Sequence, residues 1–120
     1  STLDAAALTV MAARGQITGA RVDGPLAFDN AINSDAARTN GIISPVAGQA
    51  DILVVPDLEA GNMLAKQLIY FASADAAGLV LGARVPIILT SRADSLRTRI
   101  ASAALAKLVA FRRSQGAKPA

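Results

Sequence analysis

The sequence predicts an α/β domain, and three observations carry that reading. Residues 51–62, DILVVPDLEAGN, run from a short apolar β-type segment through a proline-stopped loop into a helical pattern. The same order returns at residues 85–102, VPIILTSRADSLRTRIAS. Strand–loop–helix units of this kind present backbone N–H groups to an anionic ligand. Hydrophobic residues make up 52% of the chain and aromatics only 3%, so an aliphatic, closely packed core is expected, as for strands under helices.

The elements follow in order. Leu3, Ala7, Leu8 and Met11 share one helical face and Gly15 suits the position just past a helix end, which predicts a helix over 3–14. Residues 17–22 read as a weak strand diluted by Gly19. Asp23-Gly24-Pro25 turns the chain, and Pro25 fits the first turn of a short helix over 26–32. Residues 33–45 are polar and irregular, with an Asn40-Gly41 turn, and read as the most mobile loop. Residues 52–55 are the clearest strand. A helix is expected over 62–72, burying Leu64, Leu68 and Phe71. Strands over 77–81 and 87–89 are separated by too few residues for a crossover helix. They either pair antiparallel or belong to different sheet regions. A final helix over 94–113 places Leu96, Ile100, Ala104, Leu108 and Phe111 on one stripe, and 116–120 reads as a frayed tail.

The chain has 120 residues, enough for one compact domain. Its mean hydropathy, +0.41, is high for a soluble domain and suggests that part of its apolar surface is covered by something outside the chain. With no Cys and no His, disulfides, a thiol nucleophile, an imidazole base and the usual zinc sites are excluded. No metal site is expected. The lack of disulfides fits a cytoplasmic location. A net charge of +3 suits a phosphorylated small molecule, while one Tyr, three Phe and no Trp leave almost no stacking platform for nucleic acid. The longest apolar stretch, 76–90, is broken by Arg84 and Pro86, so no membrane span is expected. The start at Ser1, inside an apparent helix, reads as that of a piece of something longer.

Three constellations could carry chemistry. At Ser91-Arg92-Ala93-Asp94 a hydroxyl, a guanidinium and the first N–H groups of a helix could converge on a phosphate or a developing oxyanion. The same Ser-x-x-Asp spacing is equally a capping box. At 56–62 a ligand loop with Asp57, Gly61 and Asn62 competes with an Asx-type turn in which Asn62 or Asp57 caps the helix. Lys66, one turn on, could aid an anion but reads more naturally as an exposed helix lysine. At Asp23-Gly24-Pro25 an approach of backbone to ligand competes with an ordinary strand-to-helix turn, which is favoured. Arg97 and Arg99 read as a solvated helix face.

Taken together, DGPLAFDNA (23–31), SPVAGQADILVVPDLEAGN (44–62) and LTSRADS (89–95) resemble the phosphate acetyltransferase and phosphate butyryltransferase family, in order and spacing. The resemblance covers nearly the whole chain. The TSRADS form is closer to the butyryltransferase branch, and to the version fused behind an enoyl-CoA hydratase-like domain, than to the acetate enzymes. Members of that family are much longer, so residues 1–120 look like their C-terminal portion.

The resemblance implies a three-layer α/β/α fold like that of isocitrate and isopropylmalate dehydrogenases, with the active site in a cleft between two domains. The chain would carry most of the second domain, and its last helix would cross back to the missing N-terminal part. The implied reaction is acyl-CoA plus phosphate giving acyl phosphate plus CoA. Coenzyme A is then a substrate, and no tightly bound cofactor is implied. Ser91 and Arg92 match the family's Ser-Arg pair at the reaction centre, with Asp94 as the nearest carboxylate. Asp23, Gly24, Pro25, Asp57, Gly61 and Asn62 fall in substrate-binding blocks. Acetyltransferases place an acidic residue, proposed as the base for the thiol, where this chain reads Arg97-Thr98. A homodimer is expected, and the isolated piece is expected to be inactive. Two competing readings are a silent assembly domain and a nicotinamide-dependent dehydrogenase of the related fold. The second lacks a GxGxxG after a strand.

Overall fold

The computed structural model of the protein describes residues 1–116, so the tail expected over 116–120 lies outside the described residues beyond Gly116. The chain forms two compact units, Ser1–Leu58 and Glu59–Ala120. The architecture is α/β: five helices and one two-stranded sheet among the described residues. None of these helices is long and apolar enough to cross a membrane.

The first unit opens with α1, Thr2–Ala13, and Gly15 stands just past its end as its position in the sequence predicts. Thr9 Oγ1 lies 3.0 Å from the carbonyl of Ala5 and 3.1 Å from that of Gly24, so α1 holds the turn that follows it. Residues 17–22 form no strand. Helix α2, Phe28–Ile32, begins two residues later than expected and places Pro25 ahead of the helix rather than in its first turn.

Residues 33–45 are not irregular throughout: Ser34–Thr39 is a helix, α3, and the expected turn follows at Asn40-Gly41. Its existence rests on its two ends. The Asn33 side chain accepts hydrogen bonds from the N–H groups of Asp35 (2.8 Å) and Ala36 (3.1 Å). At the other end Gly41, at φ +68°, lets its own N–H reach the Arg38 carbonyl and that of Ile42 reach the Ala37 carbonyl. Asn30, Ala31 and Ala37 are buried where α2 meets α3. Asn30 accepts from the Asn40 amide through its side chain (2.9 Å) and from Gly48 N–H through its carbonyl (2.8 Å).

Residues 52–55 have no ladder partner among the described residues, and Ile52 and Val54 stay 75% and 84% exposed. Their apolar run is real, but a strand is made by its neighbour. Helix α4 runs Leu58–Phe71, starting four residues before the predicted position. Asp57 stands immediately before it, and Glu59 in its first turn favours a helix N-terminus. The predicted stripe is not buried: Leu68 and Phe71 are exposed.

In the second unit β1 (Leu79–Val80) and β2 (Ile87–Ile88) pair antiparallel, with Leu79 opposite Ile88 and Val80 opposite Ile87. Helix α5, Leu96–Ser114, packs on this hairpin. Its inward face is Thr98, Ala101, Ser102, Ala106 and Val109, not the predicted stripe, of which Leu96, Ile100, Leu108 and Phe111 are all exposed. Small side chains let the hairpin come close. Ser102, fully buried, accepts from Gly78 N–H (3.0 Å) and donates to the Thr98 carbonyl (2.8 Å). A Cβ on Gly78 would sit 2.4 Å from the Leu89 carbonyl oxygen, so this position accepts only glycine. Arg113 Nη1 donates to the Ala83 carbonyl (2.8 Å) and ties down the hairpin loop.

Ser102→Ala strands the Gly78 N–H against an apolar surface. The expected loss is about 1–3 kcal/mol, read as a lower denaturant midpoint with an unchanged slope. An unchanged midpoint would remove Ser102 as the anchor.

Candidate functional site

The residues that could carry chemistry gather where β2 hands over to α5. The sequence left two readings of Ser91–Asp94 open, and the structure corrects one of them. The cap of α5 is Ser95, whose side chain accepts from Thr98 N–H at 3.1 Å. The helix begins at Leu96, so the Ser91-x-x-Asp94 spacing forms a separate turn rather than a capping box. Asp94 N–H donates to the Ser91 carbonyl (3.1 Å), and Ser91 N–H donates to the Asp94 carboxylate (2.5 Å). The turn is thereby closed from both sides.

A third group holds it. Arg99, read from sequence as part of a solvated face, folds back over the turn. Its Nη2 donates to the carbonyls of Ser91 (3.1 Å) and Arg92 (3.4 Å), and its Nε to that of Asp94 (3.3 Å). Nothing in the sequence marks this, because the contact joins a helix arginine to backbone carbonyls five, seven and eight residues earlier. Arg97, its neighbour, does face solvent and pairs with Asp75 at 2.7 Å.

The Arg92 side chain is exposed, and its guanidinium forms no hydrogen bond or ion pair among the described residues. A fixed backbone therefore carries a guanidinium whose donors are uncommitted, next to the Ser91 hydroxyl. This arrangement can take up a phosphoryl or carboxylate group by paired N–H···O bonds. Beside it lies a groove of about 240 Å³, lined by Lys66 and Tyr70 of α4 and by Asp94, Ser95 and Thr98. The Lys66 ammonium sits 5.8 Å from the centre of the Tyr70 ring, a cation–π distance.

The other predicted residues are placed as follows. Gly61 and Asn62 lie within α4, not in a loop before it, so Asn62 caps nothing. Asp23, Gly24, Pro25 and Asp57 belong to the first compact unit. There Gly24 N–H donates to its neighbour Asp23 (2.8 Å), and a Cβ on Gly24 would stand 3.2 Å from that of Ala5. The close approach at Gly24 is to α1, which accounts for the small residue without a ligand. Ser91, Arg92 and Asp94 are brought together in a single turn.

The α/β fold is similar to that of a phosphotransacylase. The chain is similar to the crystal structure of a branched-chain phosphotransacylase from Enterococcus faecalis V583. The TM-score is 0.74 at 37% identity, over 88% of this chain and 38% of that one. Residues 1–107 match the family described as phosphate acetyl/butaryl transferase, and the chain belongs to that family. It is 73% identical over 113 residues to the phosphate acetyltransferase of Rhizobium meliloti, covering 94% of this chain and 36% of that protein. It is 53% identical over 112 residues to the phosphate butyryltransferase of Clostridium beijerinckii, covering 93% and 37%. The chain thus spans about a third of the length of these relatives.

The cap assignment is testable. Ser95→Ala is expected to destabilise by about 1 kcal/mol, the usual value of a helix cap, and Ser91→Ala by clearly less. The reverse order in thermal melts would restore the capping box.

Proposed function

We propose that the chain supplies the reaction-centre turn of a phosphate acyltransferase, interconverting acyl-CoA plus phosphate with acyl phosphate plus CoA. The CoA thiolate attacks the acyl phosphate carbonyl. The C–S bond forms, the C–O bond to phosphate breaks, and the electron pair leaves on the phosphate oxygen. Arg92 binds the phosphoryl oxygens through its planar fork, and Ser91 donates to the carbonyl or to the leaving phosphate. Coenzyme A enters as substrate and no resident cofactor or metal is needed. The observation that carries this reading is the uncommitted Arg92 guanidinium on a turn closed by Asp94 and Arg99.

Asp94 has a narrower role in this proposal than that of a base for the thiol. One carboxylate oxygen already accepts from Ser91 N–H, so its work is to order the turn. The finer architecture is part of the same proposal: a three-layer α/β/α enzyme, cytoplasmic, in which the chain forms most of the second domain. The likeness to 38% of a phosphotransacylase chain supports this.

A second reading, an assembly role, is favoured by one observation. Large apolar side chains stand exposed on both units, among them Leu58 (83%) and Phe71 (88%). Such surface favours a homodimer with two-fold symmetry. Light scattering at micromolar concentration should give twice the monomer mass, and a clean monomer would count against dimerisation.

Arg92→Lys keeps the charge and loses the fork. In the enzyme, release of CoA from acyl-CoA on adding phosphate should fall by roughly two to three orders of magnitude, with the fold retained. Undiminished turnover would remove the reaction centre from this turn. Asp94→Asn keeps an acceptor for Ser91 N–H, so turnover should stay near normal. A collapse in turnover with intact stability would instead make Asp94 the base.

A further inference from the structure

We propose that Arg99 is a positioning residue for the acyl-transfer centre, acting through the backbone of Ser91 and Arg92; this rests on the reading of Arg92 as the phosphoryl-binding group. Three carbonyls of one four-residue turn, those of Ser91, Arg92 and Asp94, converge on a single guanidinium at 3.1, 3.4 and 3.3 Å. Two of them belong to the residues that carry the chemistry. The donors come from Nε and one terminal nitrogen, a planar edge that fixes direction as well as distance. Asp94 grips the same turn from the other side by accepting from Ser91 N–H. An acceptor thus holds the turn's N–H and a donor fork holds its carbonyls.

The contacts of Arg99 distinguish this role from a merely structural one. Arg99 is exposed, and among the described residues its side-chain hydrogen bonds go to this turn. If it is removed, the freed carbonyls can be taken up by water, so little stability is at stake. What changes is the conformational range of the backbone that aims Arg92. Catalysis by preorganised donors is sensitive to such misplacement: about 1 Å can cost on the order of 100-fold in rate. The cation of Arg99 also lies beside the turn that receives an anion, which favours phosphate binding without touching it.

The test is a double-mutant cycle in the enzyme, followed by CoA release from acyl-CoA with phosphate. Arg99→Ala should lower kcat by roughly 10- to 100-fold, with KM for the acyl-CoA and the melting temperature nearly unchanged. In an Arg92→Ala background the same substitution should cause a clearly smaller further loss, because the main group being aimed is gone and only Ser91 remains. Arg97→Ala, one helical step from the same turn and paired with Asp75, should leave the rate at its normal value. Arg99→Lys retains the stem and the charge, and serves if Arg99→Ala does not fold. It should also fall short of normal kcat, since a single ammonium nitrogen lacks the planar edge from which Nε and Nη2 reach the three carbonyls. Full activity in both Arg99 variants beside a dead Arg92→Ala would overturn the positioning role and leave the function intact. Independent, multiplicative losses in the double variant would also overturn it, as would a rate loss matched by loss of fold. Normal activity in Arg92→Ala would instead defeat the functional reading itself.

Discussion

The buried hydroxyl of Ser102 is the constraint on which the second unit depends. It is both acceptor and donor: Gly78 N–H reaches it from the hairpin, and it reaches the Thr98 carbonyl within its own helix. The ladder bond from Leu89 N–H to the Gly78 carbonyl (3.0 Å) continues the hairpin beyond its two paired residues. Gly78 therefore meets α5 on one side and the second strand on the other, with no room for a side chain. Neither contact is large by itself, since a net hydrogen bond contributes about 1 kcal/mol. Their effect is geometric. They fix the end of β2 against the first turns of α5, and so the distance that residues 89–95 must span.

Within that span, order comes from polar satisfaction rather than from packing. The turn at 91–94 buries no large side chain. Its backbone groups are taken up by Asp94 and Arg99, and the helix that follows is capped separately by Ser95. A turn built this way can hold the Ser91 and Arg92 side chains in solvent while its backbone is fixed, as the proposed anion site requires. Had Ser91 and Asp94 formed the capping box, the Ser91 hydroxyl would have been spent on the helix N-terminus. With the cap moved four residues on, its single contact there is a long one from Ala93 N–H, at 3.5 Å.

Local signals in the sequence were legible where a few adjacent residues decide the outcome. Gly15 ends α1, the short 82–86 connection makes the two strands antiparallel, and α5 is a long helix. The blocks around 23–31, 44–62 and 89–95 carry the family. What could not be read depends on partners distant in sequence. Residues 52–55 look like a strand because they are apolar and β-branched, but a ladder needs a neighbour, and their side chains remain exposed. Helix α3 has too little apolar character to show a period; its two caps and the packing of Ala37 against α2 hold it. Arg99 was invisible because its partners are carbonyls, which every residue has.

The two faces of α5 reconcile a hydropathy this high with a core this small. The buried apolar residues of the described chain are Ala31, Ala37 and Ala106, while many large aliphatic side chains are exposed. On α5 the small face takes the hairpin, and Leu96, Ile100, Leu108 and Phe111 form an opposite face that takes nothing within the described residues. A helix apolar on two sides is built to be covered on two sides. The turn at Ser91–Asp94 leads into the N-terminus of that helix, where Leu96 opens the exposed face.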